Sequence, residues 1–339
     1  MLFSVVVVSL LAVSGGCVKA RPPQMSPLAS GSCRASTFRW IGPSDTHNRA
    51  RLDSWCAGVG VPVVHDGSQR TPIRLSDVTF VSWNVHVGNG DIASFISDLT
   101  NGALTNGEPI KDFVLMLQEV VRDGNDVPPY AAGASSARRI DAPRVESNDI
   151  FAISRQRGWS LIYVPSMRNG WAGNHLAADR GSAIVSTLPL SDPVAVELPG
   201  ERQRRVAIFA TLGAASPAEK AVSVGVVHLD ALGASSRLWL FGTPFMRELQ
   251  VKSLGSVLPS QTLVLGADLN TWHGHAEPAP RELARMFGEA SPAKSGTFPT
   301  RVLDYLFFRL PKTWSAAYTA AGKSYGSDHR PLVGRIVSS

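Results

Sequence analysis

Short apolar runs separated by polar turns dominate the chain from Ser76 onward. The β-branched and aromatic run over residues 78–83 predicts a buried strand, and residues 113–117 predict a second that ends at Glu119. Further strands are expected over residues 159–164, 181–187, 206–212, 222–227, 263–265, 302–308 and 332–337. Asp91 is placed to cap a helix running through Leu99, and helices are expected around 150–157 and 280–287. Residues 236–258 read as partly helical, with Pro244 marking a break or a start. Many of the strands are apolar at every position instead of alternating, so both of their faces need cover. The pattern predicts an α/β layered architecture without internal repeats.

Upstream, residues 21–75 read as an extension. Its first part, 21–32, is rich in Pro, Ser and Gly. Thr46 is placed to cap a short helix through Leu52, Trp55 and Cys56 that ends at Gly58. Residues 123–148 are polar and read as a long loop, a kind of segment that is often functional.

Residues 2–13 are almost all apolar, too short a run for a membrane-spanning helix of about 20 residues. Small residues follow, and Val18-Lys19-Ala20 is an acceptable cleavage site, so 1–20 is read as a signal peptide. The competing reading is a lipid anchor through Cys17, disfavoured because Ser14 stands where such sites prefer Leu. A secreted or periplasmic location is expected. Removal of the leader leaves Cys33 and Cys56, an even pair for which a disulfide is favoured over two free thiols. The expected organisation is therefore leader 1–20, extension 21–75 and main domain 76–339.

Composition adds little to this picture except in its charge. At 44% hydrophobic and 18% charged residues over 339 positions, the chain can bury a large core. A net charge of +6 fits an anionic partner such as a phosphodiester or a membrane surface. It equally fits a solvated basic surface, and charge alone does not choose.

Chemistry enters through position. Asn84, Glu119, His228 and Asp268 all stand at or just past the C-terminal end of an apolar strand. Any one of them is ordinary strand-to-loop punctuation. Together with Leu303-Asp304-Tyr305 and the turn Ser327-Asp328-His329-Arg330-Pro331 they suggest a single site. Glu119 is a hard oxygen ligand suited to Mg²⁺. On a strand, Asp268 and Asn270 would share a face.

This ordered set resembles the endonuclease/exonuclease/phosphatase superfamily, the fold of pancreatic-type deoxyribonuclease, over about residues 76–339. The resemblance implies a four-layered α/β sandwich of two stacked, mostly antiparallel β-sheets flanked by helices, with a site at one edge. It implies a metal-dependent phosphoric ester hydrolase, with Asn84, Glu119 and Asp328 at a Mg²⁺ ion, or Mn²⁺ or Ca²⁺ in its place. Asp268 would orient or deprotonate the attacking water, and Asn270 would donate to a phosphoryl oxygen. His329 would contact the phosphate with Asp304 behind it. His228 would stabilise the pentacoordinate charge or protonate the leaving oxygen. In deoxyribonuclease-like members the counterpart of His228 leans on a glutamate; here residues 164–180 contain none, and Asp179 is the nearby carboxylate.

Weaker candidates are Arg122 and Asn169, the latter beside Arg168, for phosphate, and His273 with His275 for a second metal. His86 and His175 lie near the motifs without an assigned role. The expected function is an exported Mg²⁺-dependent phosphodiesterase that uses in-line water attack. Nucleic acid is the favoured substrate, gripped by Arg138, Arg139, Arg144 and residues 202–205. A phospholipid, met through Trp171 or Trp239-Leu240-Phe241, or a small phosphoester is the alternative. A binding protein of the same fold is the non-enzymatic reading. No nucleotide cofactor is expected, and a monomer is.

Overall fold

The computed structural model describes residues 21–70, 73–128, 149–168, 178–213, 221–231, 239–288 and 296–338. In chain order the first strands are β1 (Met25–Pro27), β2 (Arg39–Pro43), β3 (Val63–His65), β4 (Thr79–Asn84), β5 (Phe113–Asp123), β6 (Ser160–Arg168) and β7 (Ala178–Ser186). Then come β8 (Leu190–Leu198), β9 (Arg205–Leu212), β10 (Val222–His228), β11 (Leu263–Asp268), β12 (Asp304–Arg309), β13 (Trp314–Ala320) and β14 (Leu332–Ser338). The helices are α1 (Thr46–Cys56), α2 (Ile92–Thr100), α3 (Ile150–Arg157), α4 (Trp239–Gly255) and α5 (Pro278–Phe287).

The strands form two seven-stranded sheets, ordered β1-β2-β8-β9-β10-β11-β12 and β13-β14-β4-β5-β7-β6-β3. Most neighbours are antiparallel; β2–β8, β4–β5 and β10–β11 are parallel. The sheets stack face to face over a core that includes Phe80, Met116 and Ile184 from one and Ile208, Val226 and Val264 from the other. On the outer face of the first sheet, Val227, Leu265 and Ala267 pack with Val251 and Leu254 of α4 and Leu283 of α5. On the outer face of the second, Val81, Trp83 and Leu117 pack with Phe95 and Leu99 of α2 and Ile150 of α3. Neighbours such as Val226 and Val227 thus point into different apolar layers, which is why these strands lack polar alternation. The expected four-layered sandwich is the observed one.

Local signals held with small displacements. Asp91 caps α2 by accepting from Ser94 N, and Asp149 caps α3 by accepting from Ala152 N. Asp45, not Thr46, caps α1. Pro244 lies inside α4 without ending it. Five strands were not expected: β1, β2 and β3 within residues 21–75, and β8 and β13 in the main domain. β8 opens with the polar, partly exposed Leu190-Ser191-Asp192-Pro193, and β13 is an edge strand in which half-buried and exposed residues alternate. Residues 21–75 are woven into the sandwich, since β1 and β2 extend one sheet and β3 the other. The Cys33–Cys56 disulfide joins the segment before β2 to the end of α1. The leader and residues 129–148 of the expected loop lie outside the described residues.

Candidate active site

Three strand ends stand side by side at one rim of the first sheet. Parallel pairing of β10 and β11 sets His228 opposite Asp268, and antiparallel pairing of β11 and β12 sets Asp268 opposite Asp304. The second sheet brings Asn84 from the end of β4 and Glu119 from β5. At Glu119 the register of β5 against β7 shifts between Leu117 and Val120, a β-bulge, and Glu119 adopts a left-handed φ of 57°. The 327–329 turn is tied to the same rim. Ser327 Oγ donates to the Asn84 carbonyl at 2.7 Å, His329 N donates to Ser327 Oγ at 3.0 Å, and Trp83 Nε1 donates to the His329 carbonyl at 3.1 Å.

Asp268 is the hub. Its Oδ2 accepts from Asn84 Nδ2 at 2.8 Å, a bond that crosses from one sheet to the other, and its Oδ1 accepts from Asn270 N at 2.8 Å. His329 Nδ1 and Asp304 Oδ2 are 2.8 Å apart, as the resemblance implies for that pair, and Asp304 Oδ1 has no hydrogen-bond partner among the described residues. Asp328 Oδ1 lies 3.3 Å from His86 Nδ1. Asn84, Glu119, Asn270, Asp328 and His329 line one open cleft of about 280 Å³, with Asp268 and Asp304 fully buried beneath it. Asn270 reaches this cleft by a route the sequence pattern does not show. β11 ends at Asp268, and Asn270 turns into the cleft through a left-handed φ of 52°, with one amide hydrogen on the Leu229 carbonyl at 3.0 Å.

The residues fit a hard divalent cation. The Glu119 carboxylate meets Arg180 and His228 only at 3.9 Å each, which leaves oxygen lone pairs facing the cleft. The Asp328 carboxylate is 37% exposed in the same cleft. Carboxylate and amide oxygens with room for water are the donor set that magnesium prefers. Asp268, Asp304 and His329 also bring ligand atoms within 4.8 Å of one another, but there Asp304 and His329 already engage each other.

Electrostatics separates the roles. Burial, and next the Asp304 charge, push the Asp268 carboxyl up to about 7, against bonds from Asn84 and Asn270 that favour its charged form. Burial alone would lower His329, yet Asp304 beside it raises the imidazole to about 10. Burial, followed by the Arg205 charge, holds His228 well below the ordinary histidine range. Glu119 resists its own burial and is held below the usual carboxylate range by Arg180 and Arg205.

Several expected contacts lie elsewhere. Asp179 does not serve His228. It is fully buried on β7, where it accepts from Arg122, from Tyr163 Oη at 2.7 Å and from Gly60 N at 2.9 Å. Arg122 is therefore neither a phosphate contact nor a surface residue; it pairs with Asp179 and Asp126 at 3.0 Å each. What faces His228 is Arg205, whose Nη1 lies 3.0 Å from His228 Nδ1. Arg204 is equally unavailable to a substrate, because it is buried against Glu197 at 2.6 Å. Arg168 is buried and donates to the Pro128 carbonyl at 2.9 Å. His275 packs edge-on against Tyr305 at 5.2 Å, and it forms no metal-like group with His273 among the described residues. Asn169, Trp171, His175, Arg138, Arg139, Arg144 and the side chains of Trp239, Leu240 and Phe241 lie outside the description.

The structure also adds residues to the cleft: His86, Arg180, Trp272 and Phe298. His86 was adjacent to a motif and so within reach of sequence reasoning. Arg180 arrives only through the pairing of β7 with the bulge of β5, a long-range fact with no local signature.

The profile of the endonuclease/exonuclease/phosphatase family matches residues 81–329. No curated protein matches the chain. An endonuclease/exonuclease/phosphatase from Beutenbergia cavernae DSM 12333 is similar in fold, with TM-score 0.52 and 17% identity over 77% of this chain and 71% of that one. The catalytic domain of human Nocturnin with bound sulfate gives TM-score 0.49 at 17% identity over 80% and 100% of the two chains. Sphingomyelinase C from Streptomyces griseocarneus gives 0.45 at 16% identity over 76% and 98%. With the profile spanning most of the chain and the two-sheet sandwich in place, this protein belongs to the endonuclease/exonuclease/phosphatase family, whose members hydrolyse phosphoester bonds.

Proposed function

We propose that this chain is an exported, Mg²⁺-dependent phosphodiesterase that attacks phosphorus with water, and that its substrate is a nucleic acid. The observation that carries the reading is the convergence of Asn84, Glu119, Asn270, Asp328 and His329 on one cleft, over the buried Asp268 and the Asp304–His329 pair. Glu119 and Asp328, with Asn84 beside them, would hold the ion. When bound, Mg²⁺ supplies Lewis-acid stabilisation of charge on the phosphoryl and leaving oxygens.

The other steps belong to the chain. Asp268, fixed by Asn84 and the Asn270 backbone and raised to about 7, orients a water molecule and accepts its proton. His329, kept charged by Asp304, donates to a phosphoryl oxygen. Asn270 has a second amide hydrogen available for another such oxygen. Arg180 adds positive charge to the cleft wall. Trp272, 41% exposed on that wall with the Arg301 guanidinium 4.6 Å over its ring, supports a nucleic acid, whose bases stack on such surfaces. The apolar leader and the Cys33–Cys56 disulfide support export, since such bonds persist in oxidising compartments.

The test incubates the protein with plasmid DNA, RNA and sphingomyelin vesicles, each with Mg²⁺ and with chelator. Cleavage of nucleic acid that stops with chelator is expected. Hydrolysis confined to the vesicles would replace the substrate, and activity that survives chelation would remove the metal.

A further inference from the structure

His228 stands between two kinds of neighbour. On its Nδ1 side, Arg205 Nη1 lies at 3.0 Å, and a guanidinium has no lone pair to offer. On its Nε2 side lie acceptors, Asp268 Oδ2 at 3.5 Å and Glu119 Oε1 at 3.9 Å. The Nδ1 contact dictates the arrangement, a lone pair at Nδ1 and a proton at Nε2, and the carboxylates beyond Nε2 are compatible with it. Arg205 is itself fixed, because its Nη2 donates to Gln203 Oε1 at 2.7 Å and its side chain is buried. Among the described residues, Arg180 and Ser182 on β7 and Ser166 on β6 also line the pocket around His228 and add no carboxylate there, while the Asp230 carboxylate acts on Arg205.

We propose, building on the phosphodiesterase reading above, that Arg205 is a positioning residue that locks His228 as the Nε2–H tautomer. His228 then presents one fixed hydrogen-bond donor to the phosphoryl group and keeps its proton throughout. A carboxylate at Nδ1 would hold Nδ1 protonated and favour an imidazolium able to give up its Nε2 proton; an arginine does neither. Protonation of the leaving oxygen is thereby assigned away from His228.

Two measurements test this. In ¹⁵N-resolved imidazole spectra of the metal-free protein, His228 should show a proton on Nε2 and none on Nδ1. Arg205→Met should distribute the proton over both nitrogens, and Arg205→Lys should restore the single form. A wild-type ring protonated at Nδ1, or an unchanged pattern in Arg205→Met, overturns the lock. The second measurement compares two nucleoside phosphodiesters, one with a p-nitrophenol and one with an alcohol leaving group, in His228→Gln. Glutamine can donate a hydrogen bond but cannot act as an acid. Losses equal on both substrates, and smaller than the roughly 10²-fold of a donor removed outright, are expected because glutamine keeps a donor. A loss more than about tenfold greater for the alcohol ester identifies a general acid and overturns the assignment. If neither ester is hydrolysed by the wild type, the phosphodiesterase reading fails, while the spectra still decide the tautomer.

Discussion

Glu119 is a non-glycine residue in the left-handed region, a conformation that costs an L-residue about 1 kcal/mol. Such strain gathers at functional sites, and His86, Val87 and Asn270 around the same cleft also have positive φ. Glycine in a strand normally destabilises relative to alanine. At this bulge the order should invert: Glu119→Gly should be more stable than Glu119→Ala by about 1 kcal/mol in urea unfolding. Equal or reversed midpoints would show that the backbone is not strained there. Asp304→Asn should lower turnover by about 100-fold or more while the protein stays folded, because His329 loses the charge that holds it upright and protonated. Near-normal rates in that variant would remove the pair from the mechanism. At this scale the sequence was informative about acids and histidines, which sit in short strings at strand ends. It was silent about Arg180 and Arg205, which enter from neighbouring strands, and misleading about Asp179, whose chain position says nothing of the buried pair it forms with Arg122.

Among the elements, β11 carries the tightest constraint. A methyl group at Gly266 would stand 2.7 Å from Met116 Cβ and 2.9 Å from Ser82 Oγ on the opposing sheet. Gly266→Ala should therefore push the sheets apart below the site and cost about 1–3 kcal/mol, read from the shift in denaturant midpoint. A neutral result would mean that the layers yield locally. Central strands were legible because both faces are covered, which writes an uninterrupted apolar run. The strands β8 and β13 were not, because polar or exposed positions dilute their pattern and only pairing with β9 and β14 defines them. The continuation of β5 past Glu119 was equally hidden, since a bulge disguises one strand as a strand and a loop.

Over the whole molecule, the apparent extension is structural. Its strands cover one edge of each sheet, and the disulfide closes a loop across 23 residues of sequence separation. Closing a loop of that size stabilises by about 3 kcal/mol. Cys33→Ser with Cys56→Ser should lower the melting temperature by several degrees and leave the rate per folded molecule unchanged; an unshifted transition would make the bond dispensable. Chelation should do the reverse. Glu119 and Asp328 face a cleft and not the core, so removing the metal should abolish hydrolysis with the cooperative unfolding transition retained. Loss of that transition on chelation would assign the metal a structural role.

The Asn84–Asp268 bond joins the two sheets at the rim. Asn84 and Glu119 belong to one sheet, and His228, Asp268 and Asp304 to the other. Neither half holds the whole set, so the site exists only when the layers are docked in register. A chain with its layers apart holds every one of these residues and no site.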